Sequence, residues 1–146
     1  MAKTENSDFN VELKLKAIEL LNSSLQMPVG QSEAITNFNF NINIESRADA
    51  TDKLIFVNVH VGIKTDDQSN ILGALSVSCI FEIVNFEEVI KTEPDGKLNI
   101  PQTLIDRLNN ISISTTRGVM FSTFKGTFLH NAILPVIEPK QLQTST

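Results

Sequence analysis

The chain has no tryptophan, no tyrosine, a single cysteine and no apolar run long enough to span a bilayer. Insertion into a membrane is therefore not expected. One cysteine, Cys79, has no partner for an internal disulfide, which suits a reducing compartment. The polar first ten residues carry an acidic bias and no apolar h-region, so no secretory signal is expected and the cytoplasm is the expected location. Without secretion the sequons at Asn22 and Asn110 lose their meaning. There is no basic block either: the 12 Lys and Arg are scattered through a chain of net charge -5. Nucleic acid is not an expected partner, because neutralising phosphate takes clustered cations.

Signatures of catalysis and metal binding are also missing. No glycine-rich phosphate loop occurs. The two histidines, His60 and His130, lie far apart, with no cysteine or second histidine at ligand spacing. Asp66, Asp67 and Asn70 resemble an acidic calcium loop but lack its central glycine and terminal glutamate, so a solvated hairpin tip is the better reading. Glu82, Glu87 and Glu88 have no positioned acid-base partner and read as solvent-facing charge. Cys79 alternates with Val77 and Phe81, as a packing residue would. No catalytic residue, metal or cofactor is expected, and the chain is not read as an enzyme.

What is present is the composition of one globular domain: 146 residues, 41% hydrophobic and 20% charged, with nine Phe as the only aromatics. The organisation read from the sequence is a flexible leader over residues 1–8, one domain over 9–139 and a polar tail over 140–146. Phe9, Val11, Leu13, Leu15 and Ala17 alternate with polar residues, then the phase shifts to Ile18 and Leu20, which predicts a strand with a bulge near Ala17. Residues 22–34 contain Pro28 and Gly30 and show no period, so they read as a long connection.

A second strand places Phe38, Phe40, Ile42 and Ile44 on one face and Asn37, Asn39, Asn41 and Asn43 on the other. Ile55, Val57, Val59, Val61 and Ile63 mark a third strand; Leu75, Val77, Cys79, Phe81 and Ile83 mark a fourth. Short polar turns join these three into a meander. Residues 85–99 read as a loop with one helical turn and a Pro94-Asp95-Gly96 turn. A long helix follows from about residue 101 to about 127, with Pro101 at its first position and Leu104, Leu108, Ile111, Val119, Met120, Phe124 and Phe128 on its apolar stripe. The class is α+β: a four-stranded antiparallel sheet and one long C-terminal helix.

Apolar residues exceed what one helical stripe needs. Met27 and Val29 on the long connection, and Phe121, Phe124, Phe128 and Leu129 at the helix end, belong either to the core or a subunit interface, or to a groove for apolar segments. Flexible methionine and aromatic side chains suit such a groove because they repack around varied partners.

The stretch from Lys125-Gly126-Thr127-Phe128 through Leu129-His130-Asn131-Ala132-Ile133-Leu134 to Pro135-Val136 resembles the SecB family of bacterial export chaperones. In that family a basic residue, glycine, threonine or glycine, and phenylalanine close the long helix, and an apolar run ending in Pro-Val follows. Gly126 is a natural helix stop and Pro135 a break. The likeness in order of elements runs from about Phe9 to Val136.

The resemblance implies a sheet whose first strand is joined by a crossover, a helix packed on one face, and a dimer or tetramer. It implies ATP-independent holding of unfolded polypeptide, general or dedicated to one partner such as an antitoxin, with Met27, Val29, Phe128, Leu129 and Leu134 as the polypeptide-binding residues. A non-enzymatic oligomeric scaffold of the same fold is the alternative. The family's acidic contacts with the translocation motor fall on Asn22, Gln26 and Ala74 here, none of them a carboxylate. Its second helix and acidic tail are replaced by residues 137–146. Docking on that motor is therefore not implied.

Overall fold

A computed structural model describes residues 10–26, 37–65, 70–137 and 144–145. Four long strands come first: β1 (Leu13–Leu25), β2 (Phe38–Asp49), β3 (Leu54–Thr65) and β4 (Ile71–Ile83). A single helical turn, α1 (Phe86–Val89), precedes a small hairpin of β5 (Lys91–Thr92) and β6 (Leu98–Asn99). The long helix α2 (Gln102–Phe124) follows, and β7 (Thr144–Ser145) ends the order. The main sheet runs β1-β4-β3-β2-β7; its four long strands pair antiparallel and β7 joins β2 in parallel.

The alternation seen in the sequence sets the two faces of this sheet. Ile55, Val57, Val59, Val61 and Ile63 of β3, and Leu75, Val77, Cys79, Phe81 and Ile83 of β4, are all at most 2% exposed. Residues directly opposite in an antiparallel pair share a face. Thus Ile44 joins Val59 and Ile42 joins Val61 on the core side, while Asn41 and Asn43 stand with Gly62 and His60 on the other. The turn after β2 is an Asx turn, in which Asp49 Oδ1 accepts from the backbone N–H groups of Thr51 and Asp52 at 3.0 and 3.2 Å.

The phase shift in β1 is a bulge: the register against β4 slips between Leu15 and Ala17, and again between Leu20 and Asn22. β1 also runs further than the sequence suggested. Its period ends near Asn22, yet its backbone stays paired with β4 through Leu25↔Gly73, because strand pairing does not require apolar side chains. The connection therefore begins at Gln26, whose N–H donates to Leu72 O at 2.8 Å. The start of the strand is fixed by Asn85, which accepts from Glu12 N and donates to Asn10 O.

Helix α2 contacts β3 and β4. Pro101 is its N-cap rather than its first residue, with φ -58 and ψ 140, and its carbonyl accepts from Leu104 and Ile105. The buried stripe is Leu104, Leu108, Asn109, Ser112, Ile113, Thr116, Met120 and Phe124, so the Ser- and Thr-rich middle of the helix faces the core. Small side chains there let the helix approach the sheet. The β5–β6 hairpin around Gly96, at φ +89, was read in the sequence only as a turn, because two-residue strands leave no period. Thr144–Ser145, read as part of a polar tail, pairs with Ile44 and Glu45 at the β2 edge.

A candidate polypeptide-binding surface

The helix exit is built by local hydrogen bonds. Gly126 takes φ +82, a conformation that costs glycine nothing, and Thr127 Oγ1 donates to Phe124 O at 2.7 Å while accepting from Leu129 N at 3.1 Å. Further turns follow, with His130 N donating to Thr127 O and Ala132 N to Leu129 O. Arg117 then holds the segment against the helix: its Nε donates to Leu134 O at 2.7 Å and its Nη2 to Pro135 O at 2.8 Å. The motif that suggested a helix stop followed by a break thus has that physical form.

This folding sorts the candidate residues. Leu129 and Leu134 are each 1% exposed and belong to the core, together with Ala132. They are covered within this chain, so they shape a surface from beneath. Phe128 is half-buried against the same core. Met27 and Val29 lie outside the described residues. The chain nevertheless enters their segment from the end of the sheet where Leu129 packs, since Gln26 bonds to Leu72 and the neighbouring Gly73 approaches Leu129.

The open apolar surface is formed by Phe121, already marked in the sequence as surplus to one helical stripe, and by side chains that the sequence did not single out. Phe121, 44% exposed, stacks obliquely on His130 with ring centroids 5.6 Å apart, and Ile133 and Val136 stand at 54% and 86%. A second open row lies along β1. Leu15, Ile18, Leu20 and Leu25 pair opposite Phe81, Cys79, Val77 and Gly73, which places them on the core face, yet each remains 43–47% exposed. The reason is positional: α2 covers β3 and β4 and leaves this edge uncovered. Alternation in β1 was legible; its exposure was not, because the period is the same whether a row is covered or bare.

The opposite sheet face is polar and open. There His60 Nδ1 lies 2.8 Å from Ser76 Oγ and its Nε2 lies 3.2 Å from Glu45 Oε1. These contacts form a solvated cross-strand ladder beside a shallow depression of about 500 Å³ lined by Asn41, Asn43, Gly62 and Ala74. Glu82 pairs loosely with Lys16 at 3.8 Å, an exposed contact of little energetic weight. Asp66 and Asp67 lie outside the described residues. Among the described residues no three His, Cys, Asp or Glu side chains gather as a metal would require. Burial pushes the Cys79 thiol up from its ordinary value, an effect partly offset by the nearby Ser112 and Thr115 hydroxyls. A thiol so placed packs rather than reacts. No helix among the described residues is long and apolar enough to cross a membrane.

No family model and no curated protein matches the sequence. Among solved structures the chain is similar to the SecB-like chaperone Rv1957 of Mycobacterium tuberculosis, seen in complex with a ChAD peptide from the Rv1956 HigA1 antitoxin. The TM-score is 0.59 at 12% identity, covering 86% of this chain and 90% of that one. At so low an identity the likeness is one of fold, and at that level the SecB-like resemblance seen in the sequence is supported.

Proposed function

We propose that the chain is a SecB-like chaperone that holds unfolded polypeptide without ATP and without enzymatic activity. The observation that carries this reading is the apolar surface left open around the end of α2 and along β1, on a fold shared with a chaperone that binds an antitoxin peptide. Exposed apolar side chains grouped at a helix end and in a row along a strand suit a place where another polypeptide sits. Phe128, Phe121 and Ile133 would contact the client, Leu129 and Leu134 would hold that surface from beneath, and Met27 and Val29 would flank it from the connecting segment. In this reading the path between β1 and β2 is the family's crossover, and α2 covers one face of a domain spanning residues 9–139.

The client is an unfolded polypeptide or one dedicated antitoxin-like partner, met in the cytoplasm by a dimer or tetramer. Handover to the translocation motor is not part of the proposal. Asn22 and Ala74 stand on the open sheet face, one pairing Ser76 and the other Ser24, with no carboxylate between them.

A second reading is favoured by β1 alone. Four uncovered apolar side chains in one row on the face of β1 also suit side-chain packing in a subunit interface, which would make the chain a self-assembling scaffold. Dye binding to the assembled oligomer separates the two. Strong binding means that apolar surface survives assembly and supports client holding; weak binding supports the scaffold.

A further inference from the structure

We propose that the outer edge of β2, from Phe38 to Glu45, is a strand-addition site for an extended polypeptide segment, and that the chain's own Thr144–Ser145 competes for it. This rests on the polypeptide-holding reading above and adds a location and a geometry to it.

The two edges of the sheet are built differently. β1 carries two register slips together with Lys14 and Lys16, the devices by which natural proteins blunt an edge against pairing. β2 carries none of these from Phe38 to Glu45. Its register against β3 is unbroken from Phe38↔Thr65 to Asp49↔Leu54, and that stretch holds no lysine and no proline. Among the described residues nothing pairs with the outer side of Phe38 to Asn43. A long, regular, unprotected edge is a template for another strand.

That the edge accepts a strand is visible in the fold. Thr144 and Ser145 lie parallel to it, opposite Ile44 and Glu45, and occupy only its last two positions. The rest of the edge offers two distinct rows. Phe38, Phe40 and Ile42 continue the core, whereas Asn39, Asn41 and Asn43 present side-chain amides on the other face. An incoming strand that alternates apolar with uncharged polar residues extends both rows at once, with backbone hydrogen bonds giving affinity and alternate side chains giving selectivity. The partner is therefore an extended segment of that pattern, and the only charge it meets on this stretch is Glu45.

The test compares the full chain with its Thr144→Pro/Ser145→Pro variant, since proline removes the donors a strand needs. Each is titrated with reduced, carboxymethylated lactalbumin as a permanently unfolded probe, and amide exchange is followed across β2. The proposal expects the variant to bind about three- to tenfold more tightly, as loss of a competitor held by two residue pairs should. It also expects the Phe38 to Asn43 amides to gain protection on binding. Equal affinities with no β2 protection overturn the edge site and leave client holding in place. Larger assemblies of the variant without tighter probe binding overturn it too, because a second copy then takes the edge. Absence of binding to either protein overturns the holding reading, and the edge proposal with it.

Discussion

Gly73 of β4 lies so close to Leu129 that a Cβ at this position would stand 2.7 Å from Leu129 Cδ1 and 2.9 Å from the Ser24 carbonyl oxygen. Three segments meet here: the end of β1, the start of β4 and the turn after α2. The close approach brings the post-helix segment onto the sheet, and so sets the height of the apolar surface that Phe121, Phe128 and Ile133 present.

Gly73→Ala should destabilise the fold by about 1–3 kcal/mol, because the leucine tip can move but the Ser24 backbone cannot move without disturbing β1 pairing. Leu129→Ala should cost about 2–5 kcal/mol through the cavity it leaves. Urea unfolding of both variants measures these losses.

The glycines of α2 and its exit should respond in opposite directions. Gly118 lies in the helix interior with nothing within 4 Å of an added Cβ, so Gly118→Ala should stabilise by about 0.5–1 kcal/mol. Gly126 has φ +82, and Gly126→Ala should destabilise by about 1 kcal/mol despite equally open surroundings. Thermal midpoints moving apart in this way would check both.

Arg117→Lys keeps the charge and loses the fork that reaches two carbonyls. About 1–2 kcal/mol of stability should go with it. Amide exchange at Ala132 and Leu134 should quicken more than exchange in β3, which separates local loosening of the segment from global unfolding.

Cys79 should resist thiol reagents at pH 8 in the folded chain and react at once in denaturant. Its folded pKa is raised by burial above the ordinary 9.0, so the unfolded thiol ionises first as pH rises. Stability should be insensitive to this group below about pH 9 and should fall above it, until the folded thiol ionises as well. Replacing Cys79 with Ala should remove that alkaline component from a plot of unfolding free energy against pH.

The fold was more legible in the sequence than the surface. Strict alternation in β2, β3 and β4 assigns the faces, and Gly126 with Pro135 marks the helix exit, because these signals arise from local backbone chemistry. The bulge in β1 was visible for the same reason, as a change of phase at Ala17. Burial depends on what lies across the core, and there the reading went less far. Leu129 and Leu134, polypeptide-binding residues by the family resemblance, are covered by tertiary packing within this chain, whereas Leu15, Ile18 and Leu20 look half-buried yet stand open because α2 lies over β3 and β4. Phe121 was seen as surplus to one helical stripe, and it is the exposed aromatic of that end. Ile133 fell inside the motif without any pattern to separate it from its buried neighbours.

The most direct measurement is suppression of aggregation of a chemically unfolded client by the folded chain, at stoichiometric amounts and without ATP, set beside the Phe121→Asp/Ile133→Asp variant. Both replaced side chains are exposed, at 44% and 54%, so the variant should fold as the parent does. The account predicts that the parent keeps the client in solution and that the variant needs about tenfold more protein to do so, the loss expected when two apolar contacts become charged. A folded parent that leaves aggregation unchanged, or a variant that protects as well as the parent, would contradict it.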